Sequence, residues 1–187
     1  MSSKKLPVAW VDEVLRFWFE ELQKEDWFSH SERVDDICRA RFGDTYAALK
    51  EQPPSAENAD ARKLLAAVIV LDQFPRNMFR NTPDAYATDA LALALARHAV
   101  ASGKDQSLPQ AQRHFVYMPF MHSEDMTAQA ESLRLFTRLG SEQGLKYARH
   151  HHDVVERFGR FPHRNVILGR RSTPEELEFL KTEEPLV

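Results

Sequence analysis

The chain has 187 residues, 43% of them apolar, with 25 basic and 28 acidic side chains and a net charge of −3. That balance excludes a global electrostatic pull toward nucleic acid or an anionic membrane, so any attraction for anions must come from local clustering. The single cysteine, Cys38, excludes an internal disulfide and a multi-thiol metal site, and it suits a reducing, cytoplasmic setting.

Met1 to Pro7 carries Lys4 and Lys5 with no apolar run behind them, so no signal peptide is expected. The longest apolar run, Leu64 to Leu71, is too short to span a bilayer. Few glycines and little apolar alternation argue against sheets, and helical spacing recurs instead. The expected fold is all-α, with antiparallel helical hairpins in a stack or bundle, as one domain over 1–187 with its core at about 8–180.

A stripe of Val11, Val14, Leu15, Trp18 and Leu22 predicts a first helix over about Val8 to Leu22, with Trp27 and Phe28 packing back onto it. Val34, Ile37, Cys38 and Phe42 predict a second over Ser31 to Phe42. Gly43 is read as its stop, with a separate short turn at Tyr46 and Leu49. The most apolar helix is expected over about Ala56 to Phe74, ended or kinked by Pro75. Thr82-Pro83-Asp84 reads as the cap of an alanine-rich helix that closes at Gly103. Leu108-Pro109 opens a helix broken at Pro119, and Ser123 is read as the cap of the next, with Glu124 and Asp125 in its first turn. A further helix runs from about Glu142 to Arg157. Thr173-Pro174-Glu175-Glu176 combines a cap, an N1 proline and a capping-box glutamate.

Four places could carry chemistry. Asp72 lies at the edge of a buried stripe, where a carboxylate needs a partner, and an arginine is the natural one. In His150-His151-His152-Asp153, helical spacing turns His151 inward and leaves His150 and Asp153 to solvent. His122 and Glu124 project from the corner after Pro119. From Arg157 to Arg171 the chain holds Arg157, Arg160, Arg164, Arg170 and Arg171 with His163 and no acid, on a segment anchored by Phe158 and Phe161. Such guanidinium forks either bind carboxylate or phosphate, or pair with acids such as Asp72 and cap helices. There is also an internal echo: Gln73-Phe74-Pro75-Arg76-Asn77 resembles Arg160-Phe161-Pro162-His163-Arg164-Asn165. No phosphate-loop lysine motif, dinucleotide fingerprint or serine-hydrolase elbow is present.

Three blocks carry a family resemblance: Leu71-Asp72-Gln73-Phe74-Pro75-Arg76-Asn77, then Pro119-Phe120-Met121-His122-Ser123-Glu124, then Phe158 to Asn165 with Leu168-Gly169-Arg170 and Ser172 to Glu176. Together, from about Val8 to Leu180, the chain resembles the bacterial domain-of-unknown-function 924 family. The resemblance implies an all-helical fold similar to tetratricopeptide-repeat proteins. It supplies no catalytic residue, because it implies no established reaction. Its pattern carries one histidine where this chain has three, which alignment through Phe158 places at His151.

The leading expectation is a binding module for an anionic small molecule or acidic peptide. Its site is drawn from Asp72, Gln73, Arg76, Asn77, His122, Ser123, Glu124, His151, His163, Arg164, Asn165 and Arg170. The alternatives are a hydrolase using His122 or His151 with Arg76, Arg164 and Arg170, and a protein-interaction scaffold whose motifs are purely structural. No cofactor, metal, nucleic-acid partner or membrane span is expected, and RNA binding through the Arg-Phe alternation is disfavoured by the net acidity. Nothing in the sequence indicates an oligomeric state.

Overall fold

In the computed structural model, Leu6 and residues 9–182 are described, and they contain helices and turns with no strand. The α-helices are α1 Trp10–Arg16, α2 Glu32–Glu51, α3 Ala61–Val68, α4 Phe74–Met78, α5 Asp89–Ala101, α6 Gln110–Met121, α7 Met126–Leu139, α8 Glu142–Phe158 and α9 Pro174–Thr182. The expected start at Val8 and most of the lysine-bearing N-terminal stretch lie outside the described residues. Among the described residues no helix is long and apolar enough to cross a membrane.

Short connections fold α6, α7 and α8 into consecutive hairpins, while α2 packs on α4 and α3 on both α1 and α5. One apolar cluster runs from α1 to α8, and its centre is aromatic. Phe74 packs on Phe42 at 4.8 Å between ring centroids and on Trp18 at 5.7 Å, and Phe115 meets Trp27 at 5.0 Å. Trp27 does return to the first helix, donating to the Trp18 carbonyl at 2.8 Å, but Phe28 stays half exposed. A second cluster of Val154, Val155 and Phe161, with Phe158 and Phe179, anchors the last segment.

Several boundaries differ from the sequence expectation. Gly43 does not stop α2, which runs through it for 20 residues. Cys38, Phe42, Tyr46 and Leu49 form one continuous buried stripe. Their burial outweighs the roughly 1 kcal/mol that a mid-helix glycine costs. The apolar helix starts at its cap Asp60, which accepts from the Lys63 amide, rather than near Ala56. Thr82 caps no helix: Pro83–Tyr86 is a 3₁₀ turn, and α5 begins only at Asp89. Pro119 lies inside α6, which continues to Met121. Ser123 is not the cap of α7 and Asp125 is not in its first turn; Asp125 itself caps it, accepting from the Ala128 amide at 2.8 Å. The capping box at α9 forms as read, with Thr173 and Glu176 exchanging backbone-to-side-chain hydrogen bonds.

Pro75 is the instructive case. The helix neither ends nor breaks there. It loosens first into a π turn, Ile69–Gln73, in which the Phe74 amide reaches back five residues to the Ile69 carbonyl, and then resumes as α4. Pro75 has no N–H for the Leu71 carbonyl four residues earlier. The buried Thr88 hydroxyl, at the start of α5, donates to that carbonyl at 2.6 Å instead. The carbonyl that the proline leaves free therefore ties the π turn to the start of α5, one residue from Asp72.

Candidate functional site

The three polar segments converge. Asp72, in the π turn, is fully buried, and the His122 Nδ1 at the end of α6 lies 2.9 Å from each of its carboxylate oxygens. Burial alone would raise the Asp72 carboxyl, but the Arg76 guanidinium and the His122 ring hold it well below the ordinary carboxylate range. Arg76 lies 3.6 Å from Asp72 and donates to the Asp72 carbonyl. Its main partner is Asp89, the first residue of α5, gripped with both terminal nitrogens at 2.9 and 3.0 Å.

Arg164 reaches the same aspartate from the other side, at 3.5 Å, and donates to the His122 carbonyl at 3.0 Å. Its guanidinium lies 4.5 Å from the ring centroid of Tyr86 and 4.5 Å from that of Phe161, between the two. Burial, reinforced by Arg76, draws Arg164 down to about 10, still charged at neutral pH. Its buried Nε has no hydrogen-bond partner. The two arginines of the echoed motifs thus share one carboxylate, and Arg164 has the weaker hold on it.

Arg76, Tyr86, His122, His151, His163 and Arg164 line a cavity of about 190 Å3, with Arg80 and Asn81 at its edge. Asn81 has φ 60, a left-handed conformation that asparagine tolerates better than most side chains. A neighbouring groove of about 420 Å3 shares Tyr86, His122 and Arg164 and adds Ser123, Glu124 and Asp89. The histidines of the cavity are neutral by burial: His151 is pushed down to about 3 and His163 to about 4. Burial also lowers His122, with Asp72 opposing and Arg76 reinforcing that shift.

The other expected site residues go elsewhere. Asn77 donates to Asp35 at 2.8 Å, and Asn165 donates to Glu176 at 3.2 Å, each behind the cavity wall. Both acids are also gripped by an arginine fork, Asp35 by Arg80 and Glu176 by Arg160, so the echo extends to its anchors. Gln73 donates to Asp72 and lines no cavity described here. Glu124 does not join His122. It takes both terminal nitrogens of Arg170 at 2.7 and 2.9 Å and accepts from the Phe161 amide at 2.8 Å. Arg157 pairs with Glu175. Three arginines of the acid-free corner are therefore structural, and only Arg164 faces the cavity.

Among the described residues, the side chains close enough together to hold a metal are His152, Asp153 and Glu156, on the outer face of α8 and outside the cavity. A larger groove, of about 670 Å3, lies between α5 and α7, but its charges pair with one another, Arg134 with Glu131 at 2.5 Å and Arg97 with Asp125 at 3.9 Å. Cys38 is buried in the core, its thiol pushed up to about 12 by burial.

Sequence reading missed Asp89 and Tyr86. Asp89 opens an alanine-rich helix, where an acid is expected for dipole reasons alone. The available signal was the echo, since the arginines of the two matching motifs both need an acid and neither motif supplies one for Arg164.

A family described as "Bacterial protein of unknown function (DUF924)" matches residues 14–184. The chain belongs to this family. Among solved structures it is similar to a protein of unknown function, ATU0120, from Agrobacterium tumefaciens, at 41% identity and a TM-score of 0.86, covering 94% of this chain and 98% of that one. No curated protein matches. The family and the structural relative fix the all-helical fold and leave the role of the cavity to be argued from its own chemistry.

Proposed function

We propose that the chain is a cytoplasmic small-molecule binding protein whose ligand carries an acidic group held by Arg164. The observation that carries this reading is Arg164 itself. It is a buried cation that shares Asp89 with Arg76, keeps one N–H unpartnered and lines the same cavity as His122. Buried donors are normally satisfied, and an unsatisfied one costs about 1–3 kcal/mol. That Nε is sealed from the cavity, so a carboxylate or phosphate oxygen would pair instead with the terminal nitrogens, of which Nη1 is held by Asp89 only at 3.5 Å. The cavity's size favours a compact molecule over an acidic peptide, since drug-sized ligands occupy about 300–1,000 Å3.

Differential scanning fluorimetry with phosphate, acetate, succinate and short hydroxy acids at millimolar concentration tests this. An acid present at about 100 times its Kd should stabilise the fold by about 2.7 kcal/mol, and Arg164→Met should abolish that gain. Equal responses of wild type and Arg164→Met to every acid would overturn the reading.

The Asp72–His122 contact favours a second reading, hydrolysis. A carboxylate that accepts from one imidazole nitrogen holds the ring in the tautomer whose other nitrogen can take a proton from water. His122 fits that role better than His151, which has a carbonyl rather than a carboxylate behind it. Turnover of model esters that falls at least tenfold in His122→Gln would support it. Equal rates in the two proteins would remove it.

A further inference from the structure

The geometry points to a more specific ligand, a short-chain 2-hydroxy acid, bound by its carboxylate at Arg164, its hydroxyl at the His122–His151 pair and its tail in an apolar slot. This deepens the preceding reading and rests on it for the carboxylate.

The hydroxyl follows from the two histidines. The ionised Asp72 only accepts, so the proton of neutral His122 sits on Nδ1 and Nε2 carries a lone pair. His151 is fixed the same way: its Nδ1 lies 2.9 Å from the Tyr147 carbonyl, which also only accepts, so its Nε2 is likewise a bare acceptor. Neither Nε2 makes a hydrogen bond within the described chain, and both residues line the cavity. The ring centroids are 6.2 Å apart. This wall therefore presents two acceptors and needs a donor from the ligand. An ammonium is disfavoured because Arg76, Arg80 and Arg164 line the same space. A hydroxyl donates without adding positive charge.

The tail follows from a second space that shares His122 and His151 as walls with the cavity. Phe28, His114, Met118, Met121 and Tyr147 enclose a slot of about 40 Å3 with His122 and His151. Burial pushes His114 down to about 4, so the slot carries no charge at neutral pH. Its volume holds one or two carbon atoms, a single liquid water taking about 30 Å3.

Isothermal titration of the wild-type chain with butanoate, 2-hydroxypropanoate, 2-hydroxybutanoate, 2-hydroxyhexanoate and inorganic phosphate decides the matter without relying on any variant. The expected order has 2-hydroxybutanoate about fivefold tighter than butanoate, the worth of one net hydrogen bond. It should also be about fourfold tighter than 2-hydroxypropanoate, the worth of one buried methylene. The six-carbon acid should gain nothing further. In His151→Leu the hydroxyl advantage should shrink, the His122 Nε2 being the one acceptor left. Equal binding of butanoate and 2-hydroxybutanoate, steady gains through the six-carbon acid, or binding of phosphate alone would each overturn this inference and leave the Arg164 reading standing. Failure of every acid to bind would overturn both.

Discussion

Replacing Asp72 with alanine is expected to destabilise the fold by about 3–5 kcal/mol, the usual cost of removing one partner from a buried ion pair. The side chain is fully buried and meets His122, Arg76 and Gln73 at once. Without the carboxylate the His122 N–H has no acceptor, and Arg76 keeps only Asp89 to balance it. Asp72→Asn retains an acceptor for His122 but not the charge, so its loss should be smaller, about 1–3 kcal/mol. Guanidinium denaturation measures both, as a fall in midpoint at unchanged slope. A loss below about 1 kcal/mol for Asp72→Ala would mean that solvent already reaches the carboxylate. Because a whole fold of this kind is held by only about 5–15 kcal/mol, Asp72 is among the residues it can least spare.

The second large effect is acid lability. Burial holds His151 at about 3, and His114 and His163 at about 4, against an ordinary value of 6.5. Below 6.5 the unfolded chain binds protons at these rings and the folded chain does not. The unfolded state is therefore favoured progressively as pH falls from 6.5 to about 4, where the folded rings begin to titrate. Each ring contributes at most about 1.4 kcal/mol per pH unit, so the three together approach about 4 kcal/mol per unit. The lowered carboxyls Asp72, Glu124 and Glu176 act in the same direction at still lower pH. Their contribution is present above the unfolded carboxylate value and is lost as pH falls through their folded values. Calorimetric scans between pH 8 and 4 should show Tm level at first and then falling steeply below about 6.5. His151→Gln should flatten the slope by one ring's share. A Tm that stays level from pH 7 to 5 would show that the rings titrate as they do in water.

Much of the fold was legible because apolar stripes dominate helix formation, and those of α3, α7 and α8 are strong. The misreadings share a physical origin: each took a local signal as decisive where packing overrode it. Gly43 weakens a helix only locally, while Phe42, Tyr46 and Leu49 bury a continuous face around it. Pro75 deprives one carbonyl of its donor, and a distant threonine hydroxyl supplies another. Ser123 and Asp125 are both good caps, and no pattern in the sequence ranks them.

The site was legible in its segments and less so in its wiring. Asp72, His122, His151, His163 and Arg164 do meet, yet the excess of arginine from Arg157 to Arg171 overstated the free charge. Arg157, Arg160 and Arg170 find glutamates at Glu175, Glu176 and Glu124, two of which lie just beyond the corner in sequence. Charge counting within a window cannot see a partner outside it. Asp89 was hidden for the opposite reason, because an acid at a helix start needs no further explanation.

The π turn at Ile69–Gln73 has a consequence for any comparison or redesign of this helix. Such a turn holds one residue more than regular α geometry would and absorbs it by widening, so α3 and α4 keep nearly one rotational frame. Ahead of it, Leu64, Leu65 and Val68 face the core; beyond it, Arg76 and Asn77 are aimed at Asp89 and Asp35. Deleting one residue between 69 and 73 would turn the five-residue reach into an ordinary four-residue one and restore a continuous α-helix, with the downstream residues facing nearly as they do now. Sequences one residue shorter at this turn would therefore keep Arg76 and Asn77 aimed as here and lose the wide turn that carries Asp72.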